Sequence, residues 1–363
     1  MRYNWQQKEW PNFQYQTTDV EDYLFDFAKR TGRISGVLEG LSETEQTETM
    51  INLMVSEAIK TSEIEGEYLS RNDVISSIRR NLGLNPELPL TKDKRAEGVA
   101  ELMLAVRNAF EKPLTSKMLF EWHAMLMKSN TQIQIGKWRS HEEPMQIVSG
   151  AIGREIVHFE APLSNKVPSE MNGFVKWFNE SQNVIKKPII RSAIAHLYFE
   201  TIHPFEDGNG RIGRAVAEKA ISQSIGRPVL FSLSKSIERN KKAYYDALQR
   251  AQRSNEITDW INYFVKTVLD AQIDAEQEIE FTLKKTKFFD QHKNELNERQ
   301  QKVVRRMLEE GHQGFEGGMN ARKYVSLAKI SKATATRDLQ DLVAKGIFKP
   351  IGGGRSTRYE ISI

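Results

Sequence analysis

The chain holds 363 residues, and at roughly 150 residues per domain this predicts two to three domains, enough to bury a sizeable core. Hydrophobic residues make up 39% and charged residues 28%, the range of ordinary globular proteins, which excludes collagen-like and wholly disordered chains. With no cysteine there is no disulfide framework, thiolate metal site or cysteine nucleophile, and the net charge of +4 by itself points to no partner.

The N-terminal MRYNWQQKEW lacks the apolar stretch of a signal peptide, and no run approaches the ~18 apolar residues that span a bilayer, so the expectation is a cytoplasmic protein without membrane contact. The first twenty residues, rich in Trp, Tyr, Phe and Gln around Pro11, predict an arm packed on the body. From about Asp19 to Leu82 the pattern is helical, with Ile51, Met54, Val55, Ala58 and Ile59 at three and four residue spacing, punctuated by Gly66 and by Asn81 to Pro89. Helical signals resume over Lys92 to Phe110 and Ser116 to Met127. Residues Gln146 to Phe159, alternating and β-branched around Gly150 and Gly153, predict a β-hairpin. Helices are expected again over Ser169 to Ser181, Pro188 to Ile202, Gly210 to Gly226, Ser236 to Arg253 and Ile257 to Leu269, and residues 271–296 read as a solvated connecting helix.

The last stretch carries the charge bias. Residues 297–363 hold thirteen basic and seven acidic side chains, an excess of six positive charges against a net −2 for the rest. Ala321 to Ile330 and Ser331 to Lys345 predict two helices, with Ser331 as N-cap and Gly346 as the stop. In the second, Ala335, Leu339, Leu342 and Val343 face a core while Lys332, Thr334, Thr336 and Arg337 point outward. Ile347 to Ile351 and Arg358 to Ile361 predict strands around a glycine turn carrying Arg355. The arrangement resembles a winged helix, and its charge leaves DNA and a protein partner both open.

The chemistry concentrates between two helices, in His203-Pro204-Phe205-Glu206-Asp207-Gly208-Asn209-Gly210-Arg211-Ile212-Gly213-Arg214. Gly208-x-Gly210-x-x-Gly213 matches the dinucleotide fingerprint as a bare pattern, but that fingerprint follows a strand and this one follows a helix. The physical content still points to phosphate. Glycines that allow φ > 0 let consecutive N–H groups form an anion cradle running into a helix N-terminus. Arg211 and Arg214, three apart, present two guanidinium forks on one face. Asp207 supplies the hard oxygen that magnesium on a nucleotide takes, and His203 is suited to removing a proton at neutral pH.

This segment resembles, at all eight fixed positions, the Fic-family signature His-x-Phe-x-(Asp/Glu)-Gly-Asn-Gly-Arg-x-x-Arg. The hairpin stands where the family carries its target-aligning flap. Thr61-Ser62-Glu63-Ile64-Glu65-Gly66 resembles the family's inhibitory motif, (Ser/Thr)-x-x-x-Glu-(Gly/Asn). The resemblance covers most of residues 1–270. It implies a mainly α fold: a helical region over 1–110 with an inhibitory helix and a Fic-type core with its β-hairpin flap over 111–270, to which the patterns read above add the connecting helix over 271–296 and a winged helix over 297–363.

The activity it implies is transfer of AMP from ATP to a Ser, Thr or Tyr hydroxyl of a target protein and of the chain itself. His203 would take the hydroxyl proton and Asp207 would hold Mg²⁺. Gly208, Asn209, Gly210 and Arg211 would bind the α- and β-phosphates and Arg214 the γ-phosphate, with Ile212 and Gly213 also in the nucleotide-binding set. Tyr244 and Tyr245 fall where the family places an adenine contact; helical divergence lets one of the two face the nucleotide, and Tyr245 is preferred. Flap residues Ile147, Val148 and Ser149 would brush the nucleotide. Phe205 is read as a core anchor. Glu65, with Thr61 and Gly66, would occupy Arg214 through a bidentate pair and slow the resting enzyme. Removal of AMP, transfer of another nucleotide, a nucleotide-sensing DNA-binding regulator and a homodimer remain open alternatives.

Overall fold

In the computed structural model the described residues are 2–84, 91–149, 154, 156–292, 294–311 and 314–363. Gly150, Gly153 and Glu155, which the sequence places in the hairpin turn, and residues 85–89 of the second punctuating segment lie outside them. The fold is mainly α and divides into two compact units, one of residues 1–32 and 50–275, the other of residues 33–49 and 276–363.

The first unit is built around a helix that is buried on every side. Helix α1 (Glu21–Glu39), α2 (Glu43–Ile64), α3 (Arg71–Asn81), α4 (Lys94–Asn108) and α5 (Ser116–Leu126) precede the hairpin of β1 (Gln146–Ser149) and β2 (Ile156–Glu160); α6 (Val167–Val184), α7 (Pro188–Ile202) and α8 (Asn209–Ile225) follow it. Every residue of α7 from Ile189 to Ile202 is buried, Arg191, His196 and Glu200 among them. Its Tyr198, Phe199 and Ile202 enter a cluster with Phe174, Phe178 and Trp122. Its Ile190, Ile194 and Leu197 enter a second cluster with Trp260, Phe264 and Val265. Pro188 starts α7 at a position where a missing N–H costs nothing, and α8, packed along it, begins at Gly208 (φ 78°) and stops at Gly226 (φ 74°).

The aromatic arm packs on this unit as the sequence predicts. Trp5 Nε1 donates to the Glu160 carbonyl (2.8 Å), Trp10 Nε1 donates to Glu170 Oε2 (2.9 Å), and Trp10 and Phe13 meet Tyr198 edge-on. The hairpin pairs antiparallel, Gln146 with Glu160 and Ser149 with Ile156, with a bulge between Ile147 and Val148. Phe159 anchors it in the unit, while Val148, Ile156 and Val157 stay exposed.

Two expectations are corrected downstream. The single helix over Ser236 to Arg253 is two, α9 (Leu233–Arg239) and α10 (Lys241–Ala251): Asn240 leaves helical geometry (φ −139°, ψ 57°) and its side chain accepts the Ala243 N–H to cap the second. The helix ending near Leu269 instead continues through the connecting segment as α11 (Thr258–His292). That segment is not simply solvated, since Ala275, Ile279 and Phe288 are buried. No helix among the described residues is long and apolar enough to cross a membrane.

In the second unit, α12 (Glu298–Leu308), α13 (Ala321–Ala328) and α14 (Lys332–Ala344) enclose Val303, Val304, Met307, Leu339 and Leu342 together with Ile347 and Phe348. Strands β3 (Phe348–Ile351) and β4 (Arg358–Ile361) pair antiparallel, and Tyr359 also bridges to Met319. Ala335, Leu339 and Leu342 point inward, with Val343 partly covered; Lys332, Thr336, Arg337 and Gln340 are exposed on α14 and Thr334 is partly covered. Asp338, which looks like a surface residue in sequence, is buried on α14, where Arg299 Nε (3.2 Å) and the Tyr324 hydroxyl (3.1 Å) donate to it.

Candidate active site

The loop between α7 and α8 is held by contacts that leave little freedom. His203 ends α7 in the left-handed region (φ 51°), a conformation that costs a non-glycine residue about 1–3 kcal/mol unless its surroundings fix it. Arg139, read as nothing in particular from sequence, fixes it. Its Nε donates to the His203 carbonyl (2.8 Å), its Nη2 to the carbonyls of Ile202 (3.2 Å) and Pro162, its Nη1 to Ser164 Oγ (2.8 Å), and its own N–H to the Pro204 carbonyl (2.9 Å). Phe205 is fully buried, as expected of an anchor, and stacks on His123 with ring centroids 4.0 Å apart. His123 Nδ1 accepts the Gly136 N–H (2.9 Å), so its Nε2 carries the proton facing the Asp207 carbonyl at 3.2 Å; burial lowers its pKa and keeps it neutral.

Several signature residues do different work from that expected. The Asn209 side chain does not face outward: it clamps the loop, accepting the Phe205 N–H (2.9 Å) and donating to the Phe205 carbonyl (2.8 Å). Of the glycines expected to need φ > 0, Gly208 does (78°), whereas Gly210 is helical. Gly210 is needed for space: a Cβ there would lie 2.3 Å from Glu65 Oε1. Ile212 is in the core, and its N–H is taken by the Gly208 carbonyl (3.0 Å). Gly213 faces Glu200, where a Cβ would sit 2.2 Å from Oε1. Neither Ile212 nor Gly213 borders the site cavity.

That cavity measures about 730 Å³. His203, Asp207, Gly208, Asn209 and Gly210 border it, as do Ile147 and Val148 of the hairpin, Glu65 and Gly66, and both Tyr244 and Tyr245. The Ser149 backbone pairs with Ile156 at the far end of β1. The two tyrosines differ in burial: Tyr244 is 1% exposed and its hydroxyl lies 2.8 Å from His196 Nε2, whereas Tyr245 is 37% exposed. Both rings reach the cavity, 5.1 Å apart, so helical divergence does not remove one of them.

The two arginines do not border it, because each is covered by an acid. Arg214, buried, donates from Nη2 to Glu65 Oε1 (2.8 Å) and to the Thr61 carbonyl (2.9 Å), and from Nε to Thr61 Oγ1 (2.8 Å). The Glu65 contact uses one guanidinium nitrogen, so the expected bidentate geometry gives way to a fork shared with Thr61. Burial pushes the Glu65 carboxyl up, but the charge and hydrogen bond of Arg214 outweigh it and hold the pKa below 4.5. Gly66, at φ 81°, turns the chain out of α2, and Glu67 then reaches Arg211 Nη1 at 2.8 Å. Asp207 is half exposed; its Oδ1 accepts the Gly208 N–H (2.6 Å) and lies 3.8 Å from Arg211 Nη2. His203, with little surface exposed, is lowered to about 4, by burial first and the Arg139 charge next, so it rests neutral with a lone pair to offer.

Sequence reading passed over Glu67, Arg139, His123 and Glu200. Glu67 and Glu200 left signals: the second acid in Glu65-Gly66-Glu67, and the i,i+4 pair His196 and Glu200 inside a mainly apolar helix.

Comparison with known proteins adds three segments. A model of the Fic/DOC family matches residues 113–221, a domain of unknown function (DUF4172) matches residues 3–84, and the C-terminal domain of DIP2311-like transcriptional regulators matches residues 316–362. The protein adenylyltransferase Fic of Aedes aegypti is 32% identical over 100 residues, 28% of this chain and 18% of that protein. A probable protein adenylyltransferase of Aquifex aeolicus is 34% identical over 96 residues, 26% of this chain and 27% of that protein. The chain thus spans less than a third of the length of these relatives. The crystal structure of a Fic family protein from Desulfovibrio desulfuricans G20 superposes with a TM-score of 0.55 at 18% identity, covering 96% of this chain and 98% of that one, a likeness of fold.

Proposed function

We propose that this chain, which belongs to the Fic family, transfers AMP from ATP to a hydroxyl side chain of a protein, itself included, and is held at rest by Glu65. The observation that carries the reading is the shared cavity: a neutral histidine, a half-exposed carboxylate and a glycine turn at a helix N-terminus border one space with the hairpin. His203 serves as the base that accepts the Ser, Thr or Tyr hydroxyl proton as its oxygen attacks the α-phosphorus. The N–H groups at the start of α8 hold phosphate oxygens, and the hairpin presents its edge to a target polypeptide. Tyr244 and Tyr245 offer the adenine ring an aromatic wall.

Among the described residues no three His, Cys, Asp or Glu side chains gather as a metal-holding group. A magnesium ion brought in with a triphosphate takes one or two carboxylates and fills its shell with phosphate oxygen and water, and the half-exposed Asp207 suits that single-ligand role. Bound there, it would neutralise charge on the phosphates.

Glu65 supports a resting state because it occupies the guanidinium that a γ-phosphate needs, misplacing the triphosphate for in-line attack. The test is self-modification with labelled ATP and magnesium. Glu65→Gly is expected to raise labelling about 100-fold, the scale on which small misplacement acts. His203→Ala in that background is expected to remove about 1000-fold or more while nucleotide binding persists. Labelling unchanged by Glu65→Gly overturns the resting role, and labelling that survives His203→Ala overturns the base.

For the second unit we read α13, α14 and the β3–β4 pair as a winged helix that binds DNA, supported by Lys332, Thr336, Arg337 and Gln340 exposed together on α14 and by the basic excess of this segment. Arg355 of the glycine turn, whose side chain is outside the description, is the wing residue. Duplex affinity that falls steeply with salt is the expected outcome; no duplex binding at low salt overturns it.

A further inference from the structure

One buried acid beside the cavity has no part in the steps above. Glu200 lies on the last turn of α7, one turn before His203, and is 3% exposed while bordering the cavity. Its Oε2 is 3.7 Å from His203 Nδ1. Its Oε1 has no hydrogen-bond partner, and neither has His203 Nδ1. A buried carboxyl left unpaired is costly, and here it packs against Gly213, where a Cβ would come 2.2 Å from Oε1. Glu200 Oε2 therefore stands less than one ångström from a hydrogen bond to an Nδ1 that has no partner of its own.

We infer that Glu200 is the positioning residue for His203: its carboxylate accepts the Nδ1–H, which turns the Nε2 lone pair toward the cavity as the base. The inference rests on the transfer reading. In the step itself the hydroxyl proton passes to Nε2, the hydroxyl oxygen bonds to the α-phosphorus, and the bond to pyrophosphate breaks. Glu200 stays ionised, facing the imidazolium across Nδ1. A protonated Glu200 does the reverse. It donates to Nδ1, the ring keeps its own proton on Nε2, and the base is lost.

The groups facing Glu200 are Arg214 and the backbone of Gly213 from α8, Tyr244 and Tyr245 from α10, Glu65 at the end of α2, and His196 and His203 from α7 and its cap. Burial raises the carboxyl, Arg214 opposing and Glu65 adding, to about 8. The competent tautomer gains ground as pH rises through that value, and removing Glu65 moves the transition lower. The competing acceptor for Nδ1 is the main-chain carbonyl of Glu200, which also faces the ring.

The test compares Glu65→Gly with Glu65→Gly/Glu200→Gln in the full chain, by labelled self-modification across pH and by nitrogen NMR of the His203 ring without nucleotide. Gln keeps the shape but neither titrates nor carries charge. The expected result is a fall in transfer of about 100-fold at unchanged nucleotide affinity, loss of the alkaline rise, and a ring whose tautomer no longer changes with pH. Without the Gln substitution, the ring proton moves from Nε2 to Nδ1 as pH rises. Transfer, pH profile and tautomer all unchanged by Gln overturn the inference and give Nδ1 to the main-chain carbonyl. If the Gln protein unfolds, Glu200→Asp, which withdraws the charge but retains it, is read the same way, with unchanged pH profile and tautomer again overturning. Absence of transfer in Glu65→Gly while its ring still switches counts against the transfer reading alone and supports the placement of Glu200.

Discussion

The arginine side and the histidine side of the cavity solve the problem of buried charge in opposite ways. Arg211 and Arg214 are each paired with an acid from the chain leaving α2, and Arg214 is held further by Thr61. His203 and Glu200 instead face each other unpaired. The difference follows from their chemistry. A guanidinium does not give up its proton, so once buried it needs its donors filled, by acids at Arg211 and Arg214 and by main-chain carbonyls at Arg139. An imidazole and a carboxyl escape the same cost by becoming neutral, the histidine by falling to about 4 and the acid by rising to about 8. The phosphate-facing half is thus complete and occupied at rest, while the proton-moving half is open and uncharged.

Perturbing each side separately tests that contrast. The largest of these effects is expected at Arg139, which holds the histidine side by its backbone. Arg139→Lys offers one point charge where three guanidinium hydrogen bonds held the carbonyls of Ile202, His203 and Pro162, and about tenfold of transfer is expected to go as His203 relaxes from φ 51°. Thermal unfolding of the same variant reads the accompanying loss of stability, about 1–3 kcal/mol for carbonyls left without donors. A smaller effect is expected on the arginine side at Glu67, whose side chain is 28% exposed. Glu67→Gln frees Arg211 alone, and nucleotide affinity, read by titration calorimetry, is expected to rise about two- to fivefold, the scale of a partly exposed pair. An equal rise from Glu67→Gln and Glu65→Gly would erase the distinction between the two acids. The smallest effect at physiological pH is that of acid itself. Because Glu65 titrates below its ordinary 4.5, its contribution is fully present above that value and is lost as pH falls through the lowered one. Unfolding followed against pH is expected to show this loss only in the acid range, and Glu65→Gln is expected to flatten it.

Much of this was legible in the sequence where one local rule decided the outcome. The limits of α7 follow from Pro188 and from the Gly208 turn that opens the next helix, and the hairpin follows from alternation. Helix boundaries set by a single side chain were less legible: Asn240 breaks what periodicity reads as one helix, because its cap outcompetes continuation. In the site, the eight signature positions told which residues gather but not what each does. Asn209 turned inward and Gly210 and Gly213 proved to be spaces left for Glu65 and Glu200, contacts that join residues far apart in the chain or depend on how α7 and α8 pack. Arg139 was illegible for a related reason, since four of its five partners are main-chain carbonyls and the fifth is a serine, all far off in sequence, and a carbonyl looks alike at every position.

The absent side chain at Gly210 makes occupancy of the resting site exclusive. A Glu65 oxygen sits where a Cβ would be, beside the turn that is to receive phosphate, so a bound γ-phosphate and the resting carboxylate contend for Arg214. A triphosphate affinity measured on the unsubstituted chain is therefore an apparent one, weakened by the fraction of molecules whose carboxylate has already moved away. Adenosine diphosphate, which has no group for Arg214, evades that tax, and the ratio of the two affinities in one protein becomes a gauge of how firmly the site is shut.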